Sequence, residues 1–129
     1  MSGVVYDAGA LVAAERSDRR LWADHRVRLE TGVVPIVPAP VVAQVSRSPR
    51  QVQLRRLLRG CAVLALDEST AHAAGQLLGR SGTADIVDAT VVTMAIAEHA
   101  QVLTSDPGDI SRLANAAGAR LVIIDHRRA

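Results

Sequence analysis

Val4-Val5-Tyr6-Asp7-Ala8-Gly9-Ala10-Leu11-Val12-Ala13-Ala14 sets the pattern that decides the fold. Three apolar residues end at an aspartate, and an Ala/Leu/Val-rich segment follows at once. The run 4–6 predicts a strand and Ala8 to Ala14 a short helix. Similar alternation continues down the chain. Asp18 can cap a helix from Arg19 to Glu30, with Leu21, Trp22, His25 and Leu29 on one face and Gly32 at its end. Val33 to Val37 predicts a second strand, and Pro38 and Pro40 bracket the start of a helix carrying Val41, Val42 and Val45. Ser48-Pro49 opens a helix from Arg50 to Arg59, stopped by Gly60. Ala62 to Leu66 is a third predicted strand. Ser69 is expected to cap a helix reaching Leu78, with 79–82 as a loop, and Thr83 to cap the longest helix, Ala84 to His99. Val102 to Thr104 predicts a fourth strand. Asp106-Pro107 opens a helix to Ala117, and Arg120 to Ile124 is the fifth strand. The tail from His126 to Ala129 is expected to fray.

Strands that alternate with helices predict an α/β fold: a three-layer α/β/α sandwich around a mostly parallel sheet of about five strands. With 129 residues the chain suits a single domain, residues 1–129, since a second would be too small to bury its own core. Hydrophobic residues make up 49%, enough for a packed interior and too many for global disorder. That interior must be aliphatic, because Phe is absent and Tyr6 and Trp22 are the sole aromatics. Cys61, the one cysteine, rules out an internal disulfide and reads as a structural thiol within an apolar run. No signal peptide or membrane-length apolar run is evident, so a cytoplasmic protein without a membrane partner is expected. The net charge is +2, and every Lys/Arg-type base is arginine. Without lysine the chain cannot use P-loop phosphate binding, a Schiff base, or the chemistry of a phosphoacceptor receiver domain, even with Asp67 available as an acceptor. His25, His72, His99 and His126 lack zinc-ligand spacing, and Ser46, Ser69, Ser81 and Ser105 lack a nucleophile-elbow context.

The informative residues are acidic. Asp7 ends the first predicted strand and Asp106 follows the fourth, which places both at the carboxyl edge of an open α/β sheet, where such sheets bind ligands. Asp85 and Asp88 stand three apart in the first turns of the long helix, and Asp109 stands three after Asp106. Helix dipoles alone account for acids in first turns, and Asp106 before Pro107 also serves as a plain cap. Asp88, surrounded by Val87, Ala89, Val91 and Val92, needs a partner if buried, and Asp7 has no local turn chemistry to explain it. Clustered carboxylates without lysine repel one another, and a hard cation such as Mg²⁺ or Mn²⁺ relieves that repulsion. One or two such ions beside a phosphodiester activate water and stabilise the leaving oxygen.

Three segments also resemble known motifs. Val5 to Ala13 is similar to the first motif of PIN domains, Asp85 to Val92 to the third, and Leu103 to Ile110 to the fourth; their order, spacing and total length resemble VapC-type toxins over essentially the whole chain. The resemblance implies a Mg²⁺- or Mn²⁺-dependent ribonuclease in which Asp7, Asp88 and Asp106 occupy the family's carboxylate positions, and whose products carry a 5′-phosphate and a 3′-hydroxyl. It further implies a homodimer, inhibited by a cognate antitoxin whose C-terminal segment occupies the active site. One position departs from the pattern: the family usually has a Glu on the helix after strand two, and here Gln44 stands there. An amide oxygen brings no negative charge. Asp85 and Asp109 are the candidates to supply it; otherwise a catalytically impaired module that binds RNA or protein is the alternative. Arg47, Arg50 and Arg55, with Arg56 and Arg59, form either a grip for RNA phosphates or a solvated helix face, and Ser105 and Thr104 either hydrogen-bond a phosphate or a metal-bound water or satisfy their turn. Two aromatics are too few for a base-stacking platform, so RNA recognition is expected from shape and backbone contacts. Glu15 reads as a solvated helix end. The aliphatic residues of the second and fourth helices exceed the needs of one small core, which leaves surface for a partner chain or for ordinary packing.

Overall fold

Val4, Val5 and Tyr6 are all buried and form β1 (Val4–Tyr6), the central strand of the sheet in a computed structural model that describes residues 3–126. The chain continues through α1 (Ala8–Glu15), α2 (Arg19–Glu30), β2 (Ile36–Pro38), α3 (Ala39–Val45), α4 (Val52–Arg59) and β3 (Ala62–Leu64). It then forms α5 (Glu68–Ser81), α6 (Ile86–Ala97), β4 (Gln101–Thr104), α7 (Pro107–Ala116) and β5 (Ile123–Asp125). The sheet order is β3-β2-β1-β4-β5, and every pairing is parallel. β1 meets β2 at Val5↔Ile36 and β4 at Val4↔Gln101, Val5↔Val102 and Tyr6↔Leu103. Helices α1 to α4 pack together on one face, while α5, α6 and α7 pack together on the other, with α6 over β1, β2 and β4. Right-handed crossovers dictate this split, because the chain winds outward to β3 in one direction and returns to β4 in the other.

Covered on both faces, the inner strands need no polar alternation; Val5, Val37 and Val102 are fully buried. Leu11, Leu21, Leu54, Leu57, Val91 and Ile110 fill the two helix–sheet layers, giving the aliphatic core that the composition requires. Trp22 is only partly buried, and its indole N–H donates to the Ala14 carbonyl at 3.1 Å. The Cys61 thiol donates to the Leu57 carbonyl, and burial pushes its pKa up to about 12, as suits a structural thiol.

Several element ends differ from the sequence reading, each for a local reason. β2 begins at Ile36, because the Val33 N–H closes the end of α2 on the Arg28 carbonyl and Val34 is exposed. α5 runs through 79–81 instead of breaking into a loop, and it is the longest helix, at 14 residues. Gly82 ends it at φ 71°, a left-handed conformation that glycine adopts without a Cβ clash. Its N-cap is Asp67, which accepts from the Thr70 N–H at 2.8 Å, and not Ser69. α6 is capped by Asp85 and not by Thr83, whose hydroxyl pairs with Ser81. The turn before α4 keeps Arg50 outside the helix. β3 stops at Leu64 and β5 is displaced to 123–125. The His126 N–H is held by the Thr104 carbonyl, and the rest of the expected frayed tail lies outside the described residues. Glu15 is not a solvated end. Its Oε1 accepts the Leu54 N–H at 3.0 Å and caps α4, where Gln51 offers no side-chain cap.

Candidate metal centre at the carboxyl edge of the sheet

The connections that leave β1 and β4 diverge, one toward β2 and the other toward β5, so a crevice opens between them at the point where strand order reverses. Asp7 follows β1 there and is nearly buried. Its extended backbone caps α1, with Oδ1 accepting the Ala8 N–H at 2.7 Å. Its Oδ2 accepts the hydroxyl of Thr104, the last residue of β4, at 2.8 Å. The same Thr104 oxygen accepts the Asp106 N–H at 2.9 Å, and the Asp7 N–H donates to the Leu103 carbonyl at 3.0 Å. One fully buried hydroxyl thereby ties the two strand ends and sets the orientation of the Asp7 carboxylate. The first turn of α1 closes on the same loop. A Cβ at Gly9 would lie 2.9 Å from the Ser105 backbone nitrogen and 2.7 Å from its Cβ, so glycine is required by close approach and not by an unusual φ.

Asp85 and Asp88 enter from α6. Asp85 caps the helix by accepting the Asp88 N–H at 3.0 Å, which leaves both carboxyl groups at the helix N-terminus. Asp106 and Asp109 enter from α7, with Asp106 exposed at the N-cap and Asp109 in the first turn. The Asp88 carboxyl has its pKa raised to about 7, first by burial and then by repulsion from Asp85, Asp7, Asp109 and Asp106 in that order. Asp106 is raised as well, by a hydrogen bond shared with the Asp109 side chain, by desolvation, and by the charges of Asp109 and Asp7. The other four sequence-predicted acids therefore all bear on Asp88. A small cleft of about 120 Å³ lies against Asp85, Asp88 and Asp109. Among the described residues, the cation in contact with this set is Arg112, 3.3 Å from Asp109 and exposed.

The donor set suits a hard divalent cation: carboxylate oxygens with spare lone pairs, a half-buried acid at its centre, and repulsion that a cation would relieve. No three His, Cys, Asp or Glu side chains among the described residues are already closed into a coordination group, so the acids are held in mutual electrostatic range without a finished cage. Gln44 is exposed on α3 and lines a separate cleft of about 310 Å³ with Ala8, Val12, Glu15, Arg16, Val45 and Gln51. The sequence-predicted arginines gather at the turn bordering that cleft. The Arg47 Nη1 donates to the carbonyls of Ala43 and Ser46, and the Arg55 Nη1 donates to Ser48; Arg50 is exposed. Gln51 Oε1 accepts the N–H groups of Arg47 and Ser48, which ties the turn to the start of α4. Ser105 is partly buried against Gly9.

Thr104 satisfies its turn, one of the two roles the sequence offered, but its tie to Asp7 and the role of Gly9 could not be read from local pattern. The only signal was a polar residue closing an apolar strand, and a glycine where a helix was predicted. Thr104→Val keeps the shape and removes both hydrogen bonds, which leaves a buried Asp7 oxygen and the Asp106 N–H without their partner. We expect a loss of about 1–3 kcal/mol in urea unfolding. An unchanged unfolding midpoint would mean that the hydroxyl is not the tie.

The model of the PIN domain family matches residues 4–116. No curated protein matches the sequence significantly. Among solved structures the fold is similar to VapBC2 from Rickettsia felis bound to a DNA fragment from their promoter, with a TM-score of 0.70 at 17% identity, covering 94% of this chain and 96% of that one. It is also similar to FitAcB from Neisseria gonorrhoeae, with a TM-score of 0.66 at 13% identity over 98% and 99% of the two chains. A toxin–antitoxin complex from Klebsiella pneumoniae gives a TM-score of 0.65 at 15% identity over 84% and 90%. At such identities the likeness concerns the fold.

Proposed function

Because the chain belongs to the PIN-domain family, we propose that it is a metal-dependent endoribonuclease acting as the toxin of a toxin–antitoxin pair. The observation that carries this reading is the gathering of five carboxylates, from the end of β1 and the starts of α6 and α7, at the switch point of a parallel sheet, where the other four charges bear on the half-buried Asp88. In this reading Asp7, Asp88 and Asp106 hold Mg²⁺ or Mn²⁺, and Asp85 and Asp109 supply the further negative charge that Gln44 does not. When bound there, such an ion would supply the means to activate a water and to stabilise the leaving oxygen of a phosphodiester. The protein's own residues set the rest. Thr104 holds Asp7 in one orientation from a buried position. Asp88 holds a proton near neutral pH and must release it before it can ligate, so metal binding tightens as pH rises through about 7. Ser105, Arg47, Arg50 and Arg55 receive the RNA backbone, the arginines with the guanidinium nitrogens that the turn leaves free.

Two of the structures similar in fold are VapBC2 from Rickettsia felis bound to a promoter DNA fragment and a toxin–antitoxin complex from Klebsiella pneumoniae. In keeping with them, we assign this chain a cognate antitoxin whose C-terminal segment covers the acidic edge, and a homodimeric state. No helix among the described residues is long and apolar enough to cross a membrane, in keeping with a cytoplasmic site of action.

The test is cleavage of a mixed RNA pool by the purified protein with Mn²⁺, with Mg²⁺ and with chelator, alongside Asp88→Asn. We expect metal-dependent cutting by the parent and none by the variant. Cutting that survives Asp88→Asn would place the reaction elsewhere. If the pool stays intact and Mn²⁺ leaves the melting temperature unmoved, the protein is a binding module and not a nuclease.

A further inference from the structure

Away from the acidic edge, a cleft of about 440 Å³ opens between α2 and the end of α4, and its lining includes Trp22, His25, Leu29, Arg56 and Gly60. Its floor is a built polar arrangement. His25 is only 3% exposed. Arg28 donates to the Tyr6 hydroxyl at 3.2 Å, so the phenol proton points to His25 Nδ1, 2.8 Å away. That assignment leaves the neutral imidazole with its proton on Nε2. Among the described residues Nε2 has no partner and no buried side-chain nitrogen is left unpaired, so this N–H opens into the cleft. Gly60 keeps the opening clear: a Cβ there would stand 3.3 Å from Nε2 and 3.2 Å from Leu29 Cδ1. Trp22 packs edge-on to His25, and the Arg56 guanidinium lies over the indole at 4.7 Å.

These parts recognise a flat, anionic ligand. Arg56 on Trp22 offers a planar stacking surface and, beside the Nη1 that donates to Gln53 at 3.3 Å, further N–H donors for an oxyanion, and His25 offers one fixed N–H. Helix α4 carries Arg55, Arg56 and Arg59 and no acid. Its N-cap residue, Gln51, lines the Gln44 cleft, whose other wall begins at Ala8, next to Asp7. A strand lying in the Gln44 cleft and along α4 would therefore connect the acidic edge to this second cleft. We propose that the Trp22–His25–Arg56 cleft is an exosite that seats one nucleotide of a single-stranded RNA, several nucleotides from the bond at the acidic edge. The choice of RNA rests on the nuclease reading above. The cleft is short and discrete, so it seats a single nucleotide and not a run of stacked bases.

Trp22 is the sole tryptophan, so its fluorescence reports this cleft directly. The experiment titrates the full chain, in chelator so that nothing is cut, with AMP and with a short oligoadenylate. We expect saturable quenching, tighter for the oligonucleotide, weakening as salt rises. Arg56→Ala should raise the apparent Kd about tenfold, the usual scale for losing one stacked contact. Gly60→Ala, which narrows the mouth without touching charge, should weaken binding too. Absence of saturable quenching, or an unchanged Kd in Arg56→Ala, overturns the proposal. So does quenching by an acidic peptide alone, which would make the cleft a protein dock. The two readings fail separately: a protein that never cleaves can still show the quench, and one that cleaves without it lacks the exosite.

Discussion

In metal-free buffer at pH 8, Asp88→Asn should melt about 3–8 °C above the parent protein, and at pH 4 the two should melt together. The cause is a carboxyl that the fold disfavours in its charged form. In the folded chain Asp88 has its pKa raised to about 7 by burial and by four neighbouring acids. In the unfolded chain it titrates near ~3.9. Between these values the folded state binds the extra proton, so stability is fully present below about pH 4 and falls as pH rises through 7. Asparagine cannot ionise and escapes that loss. Asp88 is half-buried and not sealed from solvent, so screening reduces the penalty to about 1–2 kcal/mol. The raised Asp106 adds in the same direction. Mn²⁺ at pH 8 should then raise the melting temperature of the parent well above any effect on the variant, because ligation replaces the lost proton. An equal offset at both pH values would show that the substitution acts through packing and not through charge.

Gly9→Ala should be the most damaging glycine-to-alanine change among the described residues without a positive φ. Replacing a helical glycine by alanine ordinarily stabilises by about 0.5–1 kcal/mol. Here the new methyl meets Ser105 at 2.9 Å from its backbone nitrogen and 2.7 Å from its Cβ, and backbone cannot swing aside as a side-chain tip does. Overpacking of this kind costs about 1–3 kcal/mol. Ser105 sits between Thr104 and Asp106, so the displacement also strains the hydroxyl that joins Asp7 to the Asp106 N–H. We expect a melting temperature lowered by about 4–10 °C and Mn²⁺ affinity reduced about tenfold or more. Gly75→Ala on α5 is the control. Nothing lies within 4 Å of the added methyl there, and that variant should be slightly more stable than the parent. A Gly9→Ala protein that melts and binds Mn²⁺ like the parent would show that the α1–Ser105 contact is slack.

How much of this was legible beforehand depended on range. Asp85 and Asp88, or Asp106 and Asp109, share a helix turn, so their pairing follows from spacing alone. The alternation of short apolar runs with helical segments was enough to specify a parallel α/β sheet, and the acids at strand ends marked its carboxyl edge. Helix starts were less secure, because Thr83 and Asp85 are both good caps a few residues apart; in the fold the Thr83 hydroxyl pairs with Ser81, and Asp85 accepts the Asp88 N–H. The arginines at 47 and 55 looked free in the sequence, yet each donates to carbonyls of one turn.

The sequence by itself determined which residue types stand at which strand and helix ends, because caps, periodicity and turn chemistry act over a few neighbours. Only the tertiary structure decided that β4 lies beside β1, that Thr104 reaches Asp7 across 97 positions, that Glu15 caps a helix 39 residues away, and that Gly9 yields to Ser105. Those contacts depend on strand order and on which helix face is buried, and no local pattern carries that information.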